Sequence, residues 1–250
     1  MSSSPAGSLY LLPNVLGETA PDAVIPAAVL NRARSLDYLI AEEPKAARAF
    51  LKRIGSTRPL QSIRIERLDH NTRPGDVPEL LEPLLDGRDA GLISEAGVPA
   101  VADPGAGLVR LAHGLGIRVV PLSGPSSIVL ALSASGLDGQ RFVFHGYLPV
   151  AETELVSSLK ECERQSRKLK QTQIFIETPY RNDRTLATML RALSPATLVC
   201  VAADLTLKSE TVKTRPVVAW RKETPQLKGR PTVFLVLADP GSRPGKLNEY

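Results

Sequence analysis

The sequence predicts an α/β protein: a parallel sheet with helices on both faces, followed by a second α/β unit with a mixed sheet. Three observations carry this. Through the first half, short apolar runs alternate with segments of helical length. The rhythm changes at "LDGQ" (137–140), a turn-rich gap. Beyond 198 the apolar runs follow each other too closely for crossover helices, so the last strands are antiparallel.

The elements follow in order. "LYLL" (9–12) reads as a buried strand. Residues 22–34 read as a helix behind Pro21, with Val24, Ala27, Ala28 and Val29 near helical spacing. Strand 37–41 leads to helix 44–54, which Gly55 ends. Strand 63–67, helix 77–85 and strand 90–94 come next. Helix 104–115, with Asp103 as N-cap and Pro104 at its first position, precedes strand 117–121. Helix 125–135 closes the first half. The second half reads as strand 141–149, helix 152–170, strand 173–178, helix 181–193 and strands 198–203, 217–220 and 232–238. The expected organisation is a flexible leader (1–8), an N-terminal domain (9–138), a C-terminal domain (139–240) and a frayed tail (241–250).

Bulk properties exclude several classes. The 250 residues are 43% hydrophobic and 23% charged, ordinary for a soluble globular chain. A formal charge of +5 permits an anionic partner without demanding one. Cys162 and Cys200 form no CxxC pair, and His70, His113 and His145 lie far apart, so no disulfide framework or metal site is expected. No signal peptide is visible, and no apolar run reaches the roughly 18 residues that span a bilayer. The reading is cytoplasmic, with no membrane and no DNA partner.

The chemistry concentrates in three loops. "ISEAGVPAVADPGAG" (93–107) spends far more Gly, Pro and Asp than a simple corner needs. Gly97 and Gly105 admit positive φ, while Pro99 and Pro104 stiffen the chain. "LLPNVLGE" (11–18) and "PLSGPSS" (121–127) are two more stiff loops at the same edge of the sheet, where parallel sheets bind ligands. Neither GxxxxGK[ST] nor a GxGxxG after the first strand occurs. Main-chain amides with few basic side chains suit a nucleoside better than a polyphosphate.

These segments, with "FVFHGYLP" (142–149), "ETPYR" (177–181) and "AADLTLKSE" (202–210), resemble the tetrapyrrole methylase superfamily, in order along nearly the whole chain. The branch they resemble most is the 16S rRNA cytidine 2′-O-methyltransferases. The resemblance implies a two-domain tetrapyrrole-methylase-like fold, a homodimer, and S-adenosylmethionine held folded between the domains. It places Leu12, Pro13, Val98, Val101, Ser126 and Ser127 on one wall of the donor site, and Tyr180, Arg181, Ala203, Pro231 and Thr232 on the other. It implies a methyltransferase whose acceptor is RNA or the ribosomal subunit; other branches of the superfamily methylate corrinoids, siroheme precursors or a diphthamide residue. A non-catalytic binding module is the third class. Glu95 stands where the branch carries aspartate, Tyr180 where it carries histidine, "PNVLGETAPD" replaces its first loop, and the branch's C-terminal extension has no counterpart here; the expectation is a shorter paralogue.

Glu95 is the candidate general base, against a role as a brace of its own loop. Arg181 either holds an anionic acceptor or pairs with Glu177. Asp204 and Glu210 read as interface or solvated charges, His70 as part of a polar turn capped by Asn71, His113 as a helix-dipole partner, and "RQSRKLK" (164–170) as a solvated helix end.

Overall fold

A computed structural model describes residues 5–238. The chain divides into two compact units, which meet in sequence between Ser126 and Ser127.

The first unit is a five-stranded parallel sheet in the order β3-β2-β4-β1-β5. Its strands are β1 (Ser8–Leu12), β2 (Tyr38–Ala41), β3 (Arg64–Arg67), β4 (Ala90–Ile93) and β5 (Arg118–Pro121). Its helices are α1 (Pro21–Val24), α2 (Ala27–Ser35), α3 (Pro44–Ile54), α4 (Glu82–Leu85) and α5 (Ala106–Gly114). Alternation along β2 shows why both faces are covered. Leu39 and Ala41 join the core beneath α2 and α3, with Leu30, Phe50 and Leu51. Tyr38 and Ile40 join the opposite core, with Leu81, Leu84, Leu108 and Ala112. The two cores explain why β2 and β4 are apolar throughout.

The second unit holds a mixed sheet in the order β6-β7-β10-β8-β9. Its elements are α6 (Ser127–Ser135), β6 (Phe142–Tyr147), α7 (Glu152–Leu169), β7 (Thr172–Glu177), α8 (Asn182–Ala192), β8 (Leu198–Ala203), β9 (Thr211–Pro216), α9 (Val217–Trp220) and β10 (Thr232–Leu237). Only β6 and β7 pair in parallel; β10 runs antiparallel to β7 and β8, and β9 antiparallel to β8. Phe175 and Phe234 stack at 5.8 Å within the core.

Several expectations need correction. Residues 22–34 form two helices, because Ile25 is extended ahead of Pro26, and a proline cannot continue the turn. Residues 78–81 are a 3₁₀ turn that leads into the short α4. "VVAW" is helix α9, not a strand: Val217 and Trp220, three apart, are buried, and Trp220 Nε1 donates to the Val199 carbonyl at 2.9 Å. A run of four apolar residues carries no period that separates helix from strand. The edge strand is "TVKTRP" instead. The units part at Ser126/Ser127, not at 137–140, because α6 packs on β8, β9 and β10, and Thr214 Oγ1 donates to the Ser135 carbonyl at 2.6 Å. At the start, Gly7 donates its amide to Leu84 and Ser8 belongs to β1, so both are tied to the sheet. The rest of the expected leader through Ser4, and the tail 241–250, lie outside the described residues.

Candidate functional site

In the first unit β1 lies between β4 and β5, so the loops that follow these three strands are neighbours at the sheet's C-terminal edge. They interlock through Asn14. Its amide donates to the Gly97 carbonyl at 2.8 Å, and the Gly97 amide donates back at 3.1 Å. The Asn14 side chain is buried. Its Nδ2 donates to the carbonyls of Ser94 (3.1 Å) and Glu95 (2.9 Å), and its Oδ1 accepts from the Val15 amide (2.8 Å). The third loop closes on the first where Gly124 presses on Pro13, so tightly that any Cβ would overlap the proline ring. Gly97 sits at φ 72°, and a Cβ there would meet Leu16 at 3.2 Å and the Pro125 carbonyl at 3.5 Å.

Strain is concentrated here. Ala100 and Ala102 are both held at φ 64°, and Gly105 at 133°. A non-glycine residue in that region costs on the order of 1–3 kcal/mol, sustained only by surroundings that fix it. Helix α5 begins after Gly105, without a side-chain cap, so Asp103 is not its N-cap. The Asp103 carboxyl instead lies half-buried near the Ser94 hydroxyl, which itself donates to the Ala96 carbonyl at 3.2 Å.

The edge is anionic. Loops 12–17, 94–105 and 121–126 contain no lysine or arginine. Burial pushes the Asp103 carboxyl above its ordinary range, and the charge of Glu95 adds to this. Burial raises Glu42, just past β2, and both Asp103 and Glu95 raise it further. Such an edge disfavours a polyphosphate and suits a cationic nucleoside such as a sulfonium. Val98 is half-buried and Val101 exposed, which leaves apolar surface for the ligand's uncharged parts. Leu12 and Pro13 keep their side chains inside the unit, so their share in a ligand wall is main chain. Ser126 and Ser127 are half-buried, the first ending one unit and the second opening α6. Glu95 is exposed, and among the described residues no donor reaches its carboxylate. The bracing expected of it is done by Asn14 and by the Ser94 hydroxyl, which donates to the Ala96 carbonyl.

In the second unit, register brings the remaining candidates to one end of the sheet. Thr232 pairs with Glu177 on one side and Ala203 on the other. Arg181 pairs with the buried Glu177 at 2.6 Å and donates to Thr178 Oγ1 at 3.0 Å, which decides between its two expected roles. Tyr180 is exposed, with the Arg181 guanidinium 5.6 Å from its ring centre. Asp204 is no solvated charge: it is buried, left-handed at φ 55°, and bound to Arg230 at 2.7 Å, while its amide donates to the Pro231 carbonyl. Glu210 is exposed and accepts from the Thr206 amide.

Sequence reasoning missed Asn14 and Arg230. The turn at 69–72 is capped by Asp69, not Asn71: its carboxylate accepts from the Asn71 amide at 2.8 Å. Cys162 and Cys200 are buried free thiols, and burial lifts Cys162 to about 11, too high for a nucleophile at neutral pH. No group of three or more metal-ligating side chains gathers among the described residues.

Two outcomes follow. Asn14→Ala leaves the buried Ser94 carbonyl, the partly buried Glu95 carbonyl and the Val15 amide short of a partner, at about 1–3 kcal/mol for each group that stays out of water. Chemical denaturation should show a loss of at least that size. Asn14→Asp, though isosteric, should be no better, since it turns a carboxylate onto two carbonyls. For Asp103, a folded pKa above the unfolded one means its stability contribution is complete below the unfolded value and is lost as pH rises through the folded value. Asp103→Asn should therefore melt higher than wild type at pH 7. The advantage should vanish below about pH 4. A lower melting point at pH 7 would contradict the assignment.

Residues 23–218 match the model of the tetrapyrrole (corrin/porphyrin) methylases. The chain is 34% identical to the ribosomal RNA small subunit methyltransferase I of Escherichia coli O157:H7, over 87% of this chain and 73% of that protein. Against the protein of the same name from Pseudomonas aeruginosa it is 33% identical, over 85% and 71%. Among solved structures, the methyltransferase CobJ superposes with a TM-score of 0.63 at 17% identity, covering 96% of this chain and 98% of that one. Uroporphyrin-III-C-methyltransferase from Thermus thermophilus superposes at 0.52 with 18% identity, covering 93% and 92%. These two establish the fold. The chain belongs to the tetrapyrrole methylase family and is a methyltransferase whose methyl donor is S-adenosylmethionine.

Proposed function

We propose that this enzyme methylates RNA of the small ribosomal subunit, at a ribose 2′-hydroxyl. The observation that carries the RNA reading is the 34% identity, over most of the chain, to a protein named for small-subunit ribosomal RNA; the ribose hydroxyl follows from the branch that the sequence motifs resemble. The geometry agrees. A hydroxyl acceptor needs a base to take its proton, and Glu95 is an exposed carboxylate at the donor edge with no other partner among the described residues.

The residues divide the work. S-Adenosylmethionine supplies an electrophilic methyl group on a positively charged sulfur. The stiff loops 12–17, 94–105 and 121–126 hold the donor without first having to order themselves. Val98 and Val101 cover apolar parts of the ligand, and the carboxylates at the edge favour its positive charge. Glu95 accepts the hydroxyl proton as the acceptor oxygen approaches the methyl carbon. In the second unit the Glu177–Arg181 and Asp204–Arg230 pairs fix the main chain of Ala203, Pro231 and Thr232.

The same reading has the enzyme act in the cytoplasm as a homodimer. Among the described residues no helix is long and apolar enough to cross a membrane. A monomer mass by light scattering at micromolar concentration would refute the dimer.

Calorimetry should find one donor bound per chain. Glu95→Gln should retain donor affinity within about threefold while turnover falls about 10²-fold or more. Turnover within severalfold of wild type would remove Glu95 as the base. Labelled methyl should enter small-subunit RNA; label found instead in protein or in a tetrapyrrole fraction would overturn the acceptor.

A further inference from the structure

We propose that the C-terminal half of α7 is a docking surface for the phosphate backbone of RNA. The proposal deepens the reading of RNA as acceptor and rests on it. It starts from an uneven distribution of charge. Residues 1–126 carry 13 Lys and Arg against 14 Asp and Glu, a formal −1. Residues 127–250 carry 18 against 12, a formal +6. The whole positive excess of the chain therefore lies in the second unit, and such asymmetry between halves is an electrostatic footprint of a polyanionic partner.

Within that unit the cations are ordered. Lys160, Arg164, Arg167 and Lys168 stand at i, i+4, i+7 and i+8 of α7, hence on one face, and all four are exposed. With Glu163 they line an open concavity of about 390 Å³. The Glu163 carboxylate is already committed, accepting from the Ser194 amide at 2.8 Å, the Ser194 hydroxyl at 3.1 Å and the Thr197 hydroxyl. Arg164 is held by Glu161, but among the described residues Lys160, Arg167 and Lys168 pair with no carboxylate. The four span about 12 Å along the helix, at roughly 1.5 Å per residue.

A helix-dipole role explains cations in the last turn, Arg167 and Lys168. It does not explain Lys160, which lies mid-helix, or the concave grouping. The larger concavity of the first unit, about 680 Å³, is a useful contrast. Its three arginines face four carboxylates, and Arg64 and Arg67 are already paired. It offers no net attraction to a phosphate chain, whereas the α7 face does.

The test is a salt titration of the binding of a fluorescein-labelled small-subunit rRNA transcript, between roughly 50 and 200 mM salt. The variant K160Q/R167Q/K168Q removes the unpaired cations of α7. The control K208Q/K222Q/K228Q removes the same charge from exposed sites elsewhere on the unit. At about 0.7 in slope per phosphate contact, the α7 variant should lose about 2 in the slope of log affinity against log salt, and the control should lose far less. Both variants should keep the donor-induced thermal shift. Equal losses in the two variants, or none in the α7 variant, would overturn the proposal. So would polyglutamate competing with the RNA at matched charge. If the transcript binds through α7 but accepts no labelled methyl, the surface stands and the acceptor reading fails.

Discussion

The two-way bridge between Asn14 and Gly97 is the constraint on which the C-terminal edge of the first sheet, the proposed donor edge, depends. It joins the loops after two neighbouring strands by two main-chain hydrogen bonds, and the buried Asn14 side chain fastens Ser94 and Glu95 as well. Left-handed Ala100 and Ala102 follow directly. Strain of that kind persists only where the ends of the loop are fixed, and the bridge fixes one of them. The contact of Gly124 with Pro13 brings in the third loop, so the edge is rigid before any ligand arrives.

That rigidity gives the chemistry its character. A wall of main chain, valine and carboxylate makes no strong bid for a phosphate, but it suits a nucleoside that carries positive charge on sulfur. Burial raises the carboxyls of Asp103 and Glu42, and the neighbouring acidic charges add a repulsion that such a cation relieves. Charge of the opposite sign collects in the second unit, on the face of α7. On the proposed reading, a cationic donor and an anionic acceptor would each meet a surface of opposite charge.

Much of this was legible in the sequence. The β/α alternation gave the parallel sheet, and the close spacing of the last apolar runs gave the antiparallel strands. The Gly/Pro density of 94–105 marked a loop of unusual backbone, and Gly97 and Gly105 are indeed left-handed. What escaped notice depends on contacts distant in sequence. Asn14 looks like any polar loop residue until β1 is laid beside β4, some 80 positions away. Asp103, next to a proline, has every local mark of an N-cap, yet the helix starts later, after Gly105. "VVAW" has strand composition, but Pro216 before it and the 217/220 spacing of its buried side chains make it a helix. Arg181 had two open partners because its pairing with Glu177 needs the turn between them.

The central claim, a donor cradle locked in place before the donor binds, is tested most directly by amide hydrogen exchange in the donor-free protein. The amides of Asn14 and Gly97 should exchange as slowly as those of the β1 and β4 strand cores, and S-adenosylmethionine should slow them little further. Exchange at the rate of an exposed loop, with protection gained only when the donor is added, would contradict the account and show that the ligand builds the cradle.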